Sequence, residues 1–456
     1  MRRLLVANRG EIAVRIIRAA RDLGISTVAV HSKADAGALH TRLADSSVEI
    51  GPSPASKSYL VADAILAAAK DSGADAVHPG YGFLSERASF ATAVADAGLT
   101  FVGPAGSVIE RMGDKVAARE VARAAGVPTV PGTPGGVSGV DEAVSAARDV
   151  GYPVMLKAAA GGGGRGIRVV HDEDGLRAAF GQASTEAQKA FGDGTMYLER
   201  FVERARHVEV QVLGDGTDAV HLFERECSLQ RRRQKVVEEA VSPGISPQVR
   251  EAMTTAALQL CREVGYASAG TVEFLVDADA AGGDSGSFFF IEMNTRIQVE
   301  HPTTELVTGI DLVAEQLRIA AGSRLRFTQD RIERRGHAIE YRVCAEDPEK
   351  DFMPQPGSVG RITLPSGPWV RCDTWLEPDG TVPPYYDSLL AKVVVWGADR
   401  DEALARSRRA LDEFSVSGIP TTAGLLRSLV DEEWVATADF HTSTLEQWLT
   451  SRKETS

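Results

Sequence analysis

The most informative segment lies late in the chain and reads FIEMNTRIQVEHP, from Phe290 to Pro302. Its apolar start predicts a strand, and the period-two alternation of a strand places Glu292 and Asn294 on one face. A carboxylate and an amide oxygen side by side suit Mg²⁺ or Mn²⁺, which use few protein carboxylates and leave other positions to water and substrate phosphates. The segment therefore predicts a site for a hard cation at the end of a strand.

A second predicted strand supplies another carboxylate. The alternating run Gly270 to Val276 carries Glu273, and the turn-rich stretch Asp277 to Ser287 separates it from the first strand, so the two runs predict a β-hairpin. If Glu273 faces Glu292 across the hairpin, the pair can hold one or two metal ions that bridge a triphosphate. The alternative is that both are solvated residues on the open face of a half-buried sheet.

Length and charge limit the possible functions. The chain has 456 residues, enough for about two or three domains, and a formal net charge of -13. This charge argues against a nucleic-acid or anionic-membrane partner, so an anionic substrate must meet a local cluster of Arg and Lys. The four cysteines show no CxxC spacing, which predicts neither zinc nor disulfides. No segment reaches a membrane-spanning length, and we expect a cytoplasmic protein.

The first part of the chain alternates between strand and helix patterns. A buried strand over Leu4 to Ala7, a helix over Glu11 to Leu23 and a strand over Thr27 to His31 predict a βαβ opening, and a further helix is predicted to begin near Ser85. A doubly wound α/β domain over residues 1–112 follows. Because Asn8-Arg9-Gly10-Glu11 lacks the GxGxxG spacing, we do not expect a dinucleotide there.

A second domain is predicted over residues 113–334, with a lid at about 133–203. Residues Pro153 to Val170 predict a strand, a loop with glycines between Gly161 and Gly166, and another strand. Glycine loops let backbone N–H groups approach phosphate oxygens, and Lys157 on the entering strand can reach a phosphate as a point charge. The loop lacks the closing Gly-Lys-Ser/Thr of a P-loop, so we predict a mobile flap. A surface hairpin without function is the alternative.

In order and spacing these motifs resemble the ATP-grasp ligases, and over nearly the whole chain they resemble the biotin carboxylases. The further motifs that carry the likeness are ANRGEIA from Ala7, HPGYGFLSE from His78, RHVEVQ from Arg206 and PPYYDS from Pro383. The resemblance implies an α/β and α+β multidomain fold with a doubly wound N-terminal domain, an ATP-grasp domain with its flap, a C-terminal α+β domain over 335–447, and a tail over 448–456.

The resemblance also implies a nucleotide and metal site. The implied ATP-binding residues are Lys115, Lys157, Gly163, Gly164, Glu199, Arg200, Phe201, Val202, His207, Gln230, Arg233, Glu273 and Glu292. Within this set, Glu199 to Val202 would hold the adenine edge and the two glycines would close over the phosphates. Two Mg²⁺ or Mn²⁺ ions would be held by Glu273, Glu292 and Asn294. Metal and lysines would then spread the charge of the transferring phosphoryl group.

The same resemblance assigns the carboxylation chemistry. The implied bicarbonate-binding residues are Lys235, Arg296, Gln298, Val299 and Glu300, and the implied catalytic residues are Arg296, Glu300, Arg342 and Lys235. Glu300 would remove the bicarbonate proton during attack on ATP, and Arg342 would stabilise the ureido oxyanion of biotin. Tyr81 and Arg342 would line the biotin site.

Several of these residues have simpler interpretations. Arg342 on an alternating strand could form a surface ion pair, and histidines such as His207 and His301 are more often structural, so only His207 is retained as a ligand contact. The run RRRQK from Arg231 to Lys235 could be solvated, but four cations in five positions of an acidic protein indicate an anion site. Arg233 stands where many relatives have histidine, and the 277–287 loop is longer than usual.

The partners are also implied rather than derived. No Met-Lys-Met biotinylation site is present, so we expect biotin on a separate carrier protein and a carboxyltransferase partner. The family resemblance also implies a homodimer. An ATP-grasp ligase with another acceptor would share the metal and nucleotide residues without needing Arg342. A catalytically silent nucleotide-binding assembly subunit is a further alternative, and the presence of Glu292, Lys157 and Arg296 argues against it.

Overall fold

A computed structural model describes residues 1–133, 135–158, 168–191, 193–279 and 288–455. The predicted phosphate-closing glycines Gly163 and Gly164, with the rest of the loop between 159 and 167, lie outside the described residues, as do residues 280–287 of the long loop. Among the described residues, no helix combines the length and the apolar character needed to cross a membrane.

The first part of the chain is a parallel sheet with helices on both faces. Its elements are β1 (Arg3–Val6), α1 (Gly10–Asp22), β2 (Ser26–Ser32), α2 (Leu39–Leu43), β3 (Ser46–Gly51), α3 (Ala62–Asp71), β4 (Ala76–His78), α4 (Ala88–Asp96), β5 (Thr100–Phe101) and α5 (Gly106–Gly113). The strand order is β3-β2-β1-β4-β5 and every pairing is parallel. Successive residues of β1 point to opposite faces of the sheet, so Leu4 packs into the core on one face and Leu5 into the core on the other. The doubly wound fold is confirmed.

The helix predicted near Ser85 begins later, at Ala88. The chain is still turning at Ser85, because the Ser85 amide donates to the carbonyl of Gly82, which has a φ of 68°. This turn directs Tyr81 and Glu86 toward the middle of the molecule, where both contact side chains described below.

The lid forms its own small layer. Its elements follow α6 (Lys115–Ala124) and are α7 (Val140–Val150), β6 (Val154–Ala158), β7 (Arg168–Val170), α8 (Glu173–Phe191) and β8 (Met196–Arg200). The strands form an antiparallel sheet in the order β7-β6-β8. Inward residues such as Leu156, Leu176 and Leu198 form a separate core beneath the two helices. The strands predicted on either side of the glycine loop are therefore confirmed.

The next elements build the floor of the molecule. They are β9 (Ala205–Asp215), β10 (Ala219–Arg231), β11 (Gln234–Ala240), α9 (Pro247–Val264), β12 (Ala267–Asp277), β13 (Phe288–Asn294), α10 (His301–Thr308) and α11 (Leu312–Ala320). Strands β12 and β13 form the predicted antiparallel hairpin, and Glu273 lies directly opposite Glu292 in its register. The hairpin and its facing carboxylates are confirmed.

The last part of the chain continues the same sheet. Its elements are β14 (His337–Cys344), β15 (Glu346–Asp347), β16 (Met353–Pro354), β17 (Gly357–Ser358), β18 (Ile362–Thr363), β19 (Val370–Thr374), β20 (Thr381–Val382), β21 (Leu389–Gly397), α12 (Arg400–Glu413), β22 (Ser415–Val416), α13 (Ala423–Leu429), α14 (Glu433–Ala436) and α15 (Thr444–Thr455). The large sheet has the order β13-β12-β9-β10-β11-β14-β21-β19, and β11 pairs with β14 in antiparallel register. One sheet thus carries both the β12–β13 hairpin and Arg342. Helix α15 crosses the boundary predicted at residue 448.

Candidate active site

A cavity of about 1610 Å³ lies between the lid, the large sheet and the turn after β4. The predicted site residues that line it are Tyr81, Lys115, Lys157, Glu199, Arg200, Phe201, Val202, His207, Gln230, Arg233, Lys235, Glu273, Glu292, Asn294, Arg296, Gln298, Val299 and Arg342. Glu300 is fully buried and does not line the cavity. Its carboxylate contacts Lys235 and Arg342, which do. The structure therefore brings the predicted nucleotide, bicarbonate and biotin residues to one space.

The facing carboxylates of the hairpin fit a divalent cation. Burial and the facing Glu273 raise the pKa of Glu292, which indicates local negative charge that a cation would relieve. Glu273 is only 6% exposed, so the alternative of a solvated sheet face is wrong for this residue. The Asn294 amide nitrogen donates to Glu273 at 2.9 Å and its oxygen accepts from Arg296 at 2.9 Å. The amide oxygen is thus shared with Arg296, and its second lone pair is the one that could face an ion.

Lys235 is the central cation of the site. Its ammonium lies 2.6 Å from Glu209, 3.1 Å from Glu273 and 2.6 Å from Glu300. Although burial opposes ionisation of Glu273, Lys235 and His207 hold the pKa of that carboxyl below its ordinary range. Burial alone would lower the pKa of Lys235, but its acidic surroundings raise it well above the ordinary value. Lys235 is therefore a permanent positive charge at the edge of the cavity.

The predicted base lies between two cations. Glu300 accepts from Lys235 at 2.6 Å through one oxygen and from Arg342 at 2.9 Å through the other. Burial would raise its pKa, but Lys235 and Arg342 outweigh burial and hold the pKa well below the usual value. Glu300 is thus ionised and able to accept a proton. Its basicity depends on how strongly the two cations remain attached to it.

Arg342 is held at the cavity wall by its electrostatic interactions with buried acids. It forms an ion pair with Glu238, which lies opposite Glu340 across the β11–β14 ladder. Both acids are fully buried; burial raises the pKa of Glu238 to about 7 and the pKa of Glu340 well above its ordinary value. The Arg342 side chain is 18% exposed and lines the cavity, so the surface ion pair considered from sequence is wrong.

Arg296 is held on several sides by acceptors. Its guanidinium donates to Gln298 at 2.8 Å, to Asn294 at 2.9 Å and to Glu86 of the N-terminal domain at 2.9 Å. Its side chain is 17% exposed. These acceptors hold the guanidinium in a fixed position facing the cavity. An entering anion would replace some of them as the hydrogen-bond acceptor of Arg296.

The predicted nucleotide residues occupy the lid side of the cavity. Lys157 on β6 and Glu199 on β8 form an ion pair, and Arg119 on α6 pairs with the other oxygen of Glu199. The Gln230 amide nitrogen donates to Nδ1 of His207 at 3.0 Å, and Nε2 of His207 lies 2.9 Å from Glu273. Although burial alone would lower it, Glu273 raises the pKa of His207.

The side chains of the basic run on the β10–β11 turn point in two different directions. Arg233 and Lys235 line the cavity, whereas Arg231 and Arg232 donate to Asp351 at 2.9 and 2.7 Å. The prediction that this run acts as one anion site is therefore wrong for Arg231 and Arg232. The hairpin turn separates them from Lys235, because Arg232 and Arg233 both have positive φ, 49° and 66°.

The predicted biotin residue Tyr81 lies at the boundary with the N-terminal domain. Its hydroxyl donates to Glu11, and Glu11 also forms a buried ion pair with Lys392 at 3.0 Å. Burial and Glu11 raise the pKa of Tyr81 well above its ordinary value. Lys392 donates to the carbonyl of Val299 at 3.0 Å, which connects this boundary to residues 296–300. This segment, the bicarbonate loop, is predicted by the family resemblance to bind bicarbonate. His301 is fully buried and contacts its own loop, as expected for a structural histidine.

Sequence reasoning missed five polar residues that surround the site. They are Glu86, Arg119, Glu209, Arg225 and Glu238. Glu209 could have been found, because His207, Glu209 and Gln211 alternate along β9 and place three polar side chains on one face. Each of the others contacts a partner far away in the chain, which no local pattern reveals.

Family models match almost the whole chain. They are the Biotin carboxylase N-terminal domain over residues 1–109, the Carbamoyl-phosphate synthase L chain ATP binding domain over 114–328, and the Biotin carboxylase C-terminal domain over 340–447. Biotin carboxylase of Pseudomonas aeruginosa is 55% identical over 94% of both chains. Biotin carboxylase of a Nostoc species is 50% identical over 98% of both chains.

Solved structures give the same result. The biotin carboxylase domain of a thermophilic 2-oxoglutarate carboxylase bound to bicarbonate has a TM-score of 0.93, with 45% identity over 98% of both chains. The biotin carboxylase domain dimer of Hydrogenobacter thermophilus 2-oxoglutarate carboxylase, in complex with MgADP, ADP and bicarbonate, has a TM-score of 0.88, with 46% identity over 98% of this chain and 97% of that chain. These likenesses confirm the family predicted from the sequence motifs, and this chain belongs to the biotin carboxylases.

Proposed function

We propose that the protein uses ATP and bicarbonate to carboxylate the ureido nitrogen of biotin. The observation that carries this proposal is the convergence in one cavity of three features: facing carboxylates that fit Mg²⁺, the cations Lys235 and Arg296, and the buried base Glu300 beside Arg342. The family membership and a relative's complex with MgADP and bicarbonate support the same reaction.

The lid side of the cavity is the proposed nucleotide site. Lys115, Lys157 and His207 would contact phosphates or ribose, and Glu199 to Val202 would contact the base; all of them line the cavity. Glu273 and Glu292 would hold Mg²⁺ or Mn²⁺, with Asn294 beside them; a bound ion would neutralise the charge of the transferring phosphoryl group. The protein's part is to hold the carboxylates ionised, and Lys235 and His207 do this for Glu273.

Bicarbonate would bind where Lys235, Arg296, Gln298 and the Val299 backbone meet. Its oxygen would attack the γ-phosphorus of ATP, the bond from that phosphorus to the ADP oxygen would break, and Glu300 would accept the proton. Carboxyphosphate and ADP are the products of this step. Because an anion would draw Lys235 toward itself, Glu300 would lose part of the charge that lowers its pKa and would become a stronger base.

The second half of the reaction uses Arg342. Carboxyphosphate would break its carbon–oxygen bond to give CO₂ and phosphate, and phosphate would take the ureido N–H proton of biotin. The nitrogen would then attack CO₂ while negative charge on the ureido oxygen faces Arg342. Glu238 and Glu300 fix that guanidinium at the cavity wall, so it need not reorganise as the charge develops. Tyr81 would line the biotin side.

We also propose the assembly in which this reaction takes place. Biotin would arrive on a carrier protein, a carboxyltransferase would use the carboxybiotin, and the chain would form a homodimer, as the Hydrogenobacter relative does. The proposed domains are residues 1–112, 113–334 with a lid at about 133–203, and 335–447. Arg233 would contact the nucleotide from the β10–β11 turn, where it lines the cavity together with Gln230.

The test is transfer of ¹⁴C from bicarbonate to biotin with ATP and Mg²⁺. The wild type is expected to form acid-labile ¹⁴C-carboxybiotin, and Glu300→Gln to form none above background. Lys350→Met is the matched control, because the Lys350 side chain is 63% exposed and does not line the cavity. ATP cleavage without label on biotin would refute the proposal in favour of an ATP-grasp ligase with another acceptor. Absence of both would favour a silent nucleotide-binding subunit.

A further inference from the structure

Arg119 is a cavity residue that no step above uses. It lies one helical turn after Lys115 on α6, so the two cations share a face of the helix and both line the cavity. Its guanidinium pairs with Oε1 of Glu199 and lies 5.3 Å from the centre of the Tyr197 ring. Both partners belong to β8, so Arg119 joins the body of the molecule to the lid strand.

Glu199 is shared between two cations. Lys157 pairs with Oε2 and Arg119 with Oε1, and the side chains are 32%, 19% and 10% exposed for Lys157, Arg119 and Glu199. Burial would raise the pKa of Glu199, but Lys157 and Arg119 outweigh burial and lower it. The carboxylate is therefore ionised and largely withdrawn from water, where an unpaired charge is unfavourable.

This sharing matters because Lys157 has a second task. In the proposed nucleotide site Lys157 must reach a phosphate, and an ammonium group cannot do that while it remains against Glu199. Its departure would leave Glu199 ionised and buried without compensation if Lys157 were its only cation. A guanidinium that stays in place removes this penalty. Arg119 suits that task because its planar fork remains charged and its stem is fixed on a helix.

We propose that Arg119 is a positioning residue for the nucleotide, which keeps Glu199 paired and in place while Lys157 moves to the phosphates. The inference rests on the proposed function, since it assumes that a nucleotide phosphate attracts Lys157. It makes a distinctive prediction: Arg119 supports binding of phosphate-bearing ligands only. Adenosine has no phosphate, so Lys157 would stay on Glu199 and Arg119 would be dispensable.

The experiment is calorimetric titration of the full chain with ATP, ADP and adenosine, in Mg²⁺ and without bicarbonate. Arg119→Met is expected to weaken ATP binding about tenfold, in line with loss of one charge-assisted pair, and to change adenosine binding less than about twofold. Arg119→Lys should keep ATP binding within about threefold of wild type, because it retains a cation. In a Glu199→Gln background, Arg119→Met should no longer weaken ATP binding.

The matched control is Arg123→Met, which removes the same charge one turn further along α6. Arg123 is exposed and is not a cavity residue, and among the described residues its guanidinium donates a hydrogen bond only to Thr129, at 3.3 Å. Its ATP affinity should stay within about twofold of wild type. Equal weakening of ATP and adenosine by Arg119→Met, or a loss that persists with Glu199→Gln, would overturn the proposed role alone. A wild-type protein that does not bind ATP would overturn both this role and the proposed function.

Discussion

Replacing Lys235 by methionine removes the ammonium group that three acids share and keeps most of the side-chain volume. The ammonium lies within 3.1 Å of Glu209, Glu273 and Glu300, and its side chain is only 12% exposed. Removing one partner of a buried ionic cluster leaves uncompensated charge, which destabilises proteins by about 3–5 kcal/mol. Near neutral pH we expect the free energy of unfolding to fall by this amount and carboxylation of biotin to be lost.

The pH dependence separates this cause from simple loss of packing. The pKa values of Glu273 and Glu300 lie below the ordinary value of 4.5, so these carboxylates stabilise the native protein above that pH, and the stabilisation is lost as the pH falls through their folded-state values. Without Lys235 their pKa values rise, and proton uptake then relieves the repulsion between them. The deficit of the variant should therefore be largest near about pH 8 and should shrink toward about pH 5.

The assay is thermal unfolding of both proteins between these pH values. If each kcal/mol corresponds to about 2–4 °C, as in a domain of 150–250 residues, the melting temperature falls by about 6–20 °C near pH 8. Lys350→Met is the control; the Lys350 ammonium lies on the surface, and a surface ion pair of this kind is worth about 0–1 kcal/mol. A deficit below about 1 kcal/mol, or one that stays constant or grows as the pH falls, would refute the assignment of Lys235 as the shared counter-charge.

Three further predictions concern the chemistry. Arg296→Ala should lower biotin carboxylation by at least about 100-fold and leave ATP affinity nearly unchanged, because the predicted bicarbonate-binding set includes Arg296 and the predicted ATP-binding set does not. Loss of ATP binding in a calorimetric titration would contradict this assignment. Glu300→Gln should abolish bicarbonate-dependent ADP release by removing the base, and retained release in a coupled assay would show that another group takes the proton. Chelation of Mg²⁺ by EDTA should stop turnover reversibly. Glu292→Gln should raise the Mg²⁺ concentration that gives half-maximal rate. If that concentration is the same as in the wild type, Glu292 is not a metal ligand.

Local patterns predicted the hairpin and the facing of its two carboxylates. The alternation along β13 placed Glu292 and Asn294 on one face, and the turn-rich spacer indicated that Glu273 would lie opposite. Both follow from the two-residue period of a strand and from turn composition, which act over a few residues. The doubly wound class of the N-terminal domain could be predicted for the same reason from the apolar runs of β1 and β2 and the helix between them, whereas strand β3 and the strand order were not predicted.

Interactions between distant segments could not be predicted. The pairing of β11 with β14 joins residues about a hundred positions apart, and it is this pairing that brings Glu238 beneath Arg342. The contact between Glu86 and Arg296 spans 210 residues. Arg119 resembles any exposed helical arginine until the lid strand brings Glu199 to it. The direction of Arg232 away from the cavity depends on the geometry of one turn, which composition alone does not determine.

The most direct test of the central claim is ADP release by the purified protein with ATP, Mg²⁺ and bicarbonate, measured with and without free biotin. The arrangement of Glu300, Arg342 and the bicarbonate loop around one cavity predicts that biotin accelerates ADP release, and that it does so only when bicarbonate is present. ADP release at the same rate with and without biotin would contradict the assignment of biotin as the acceptor.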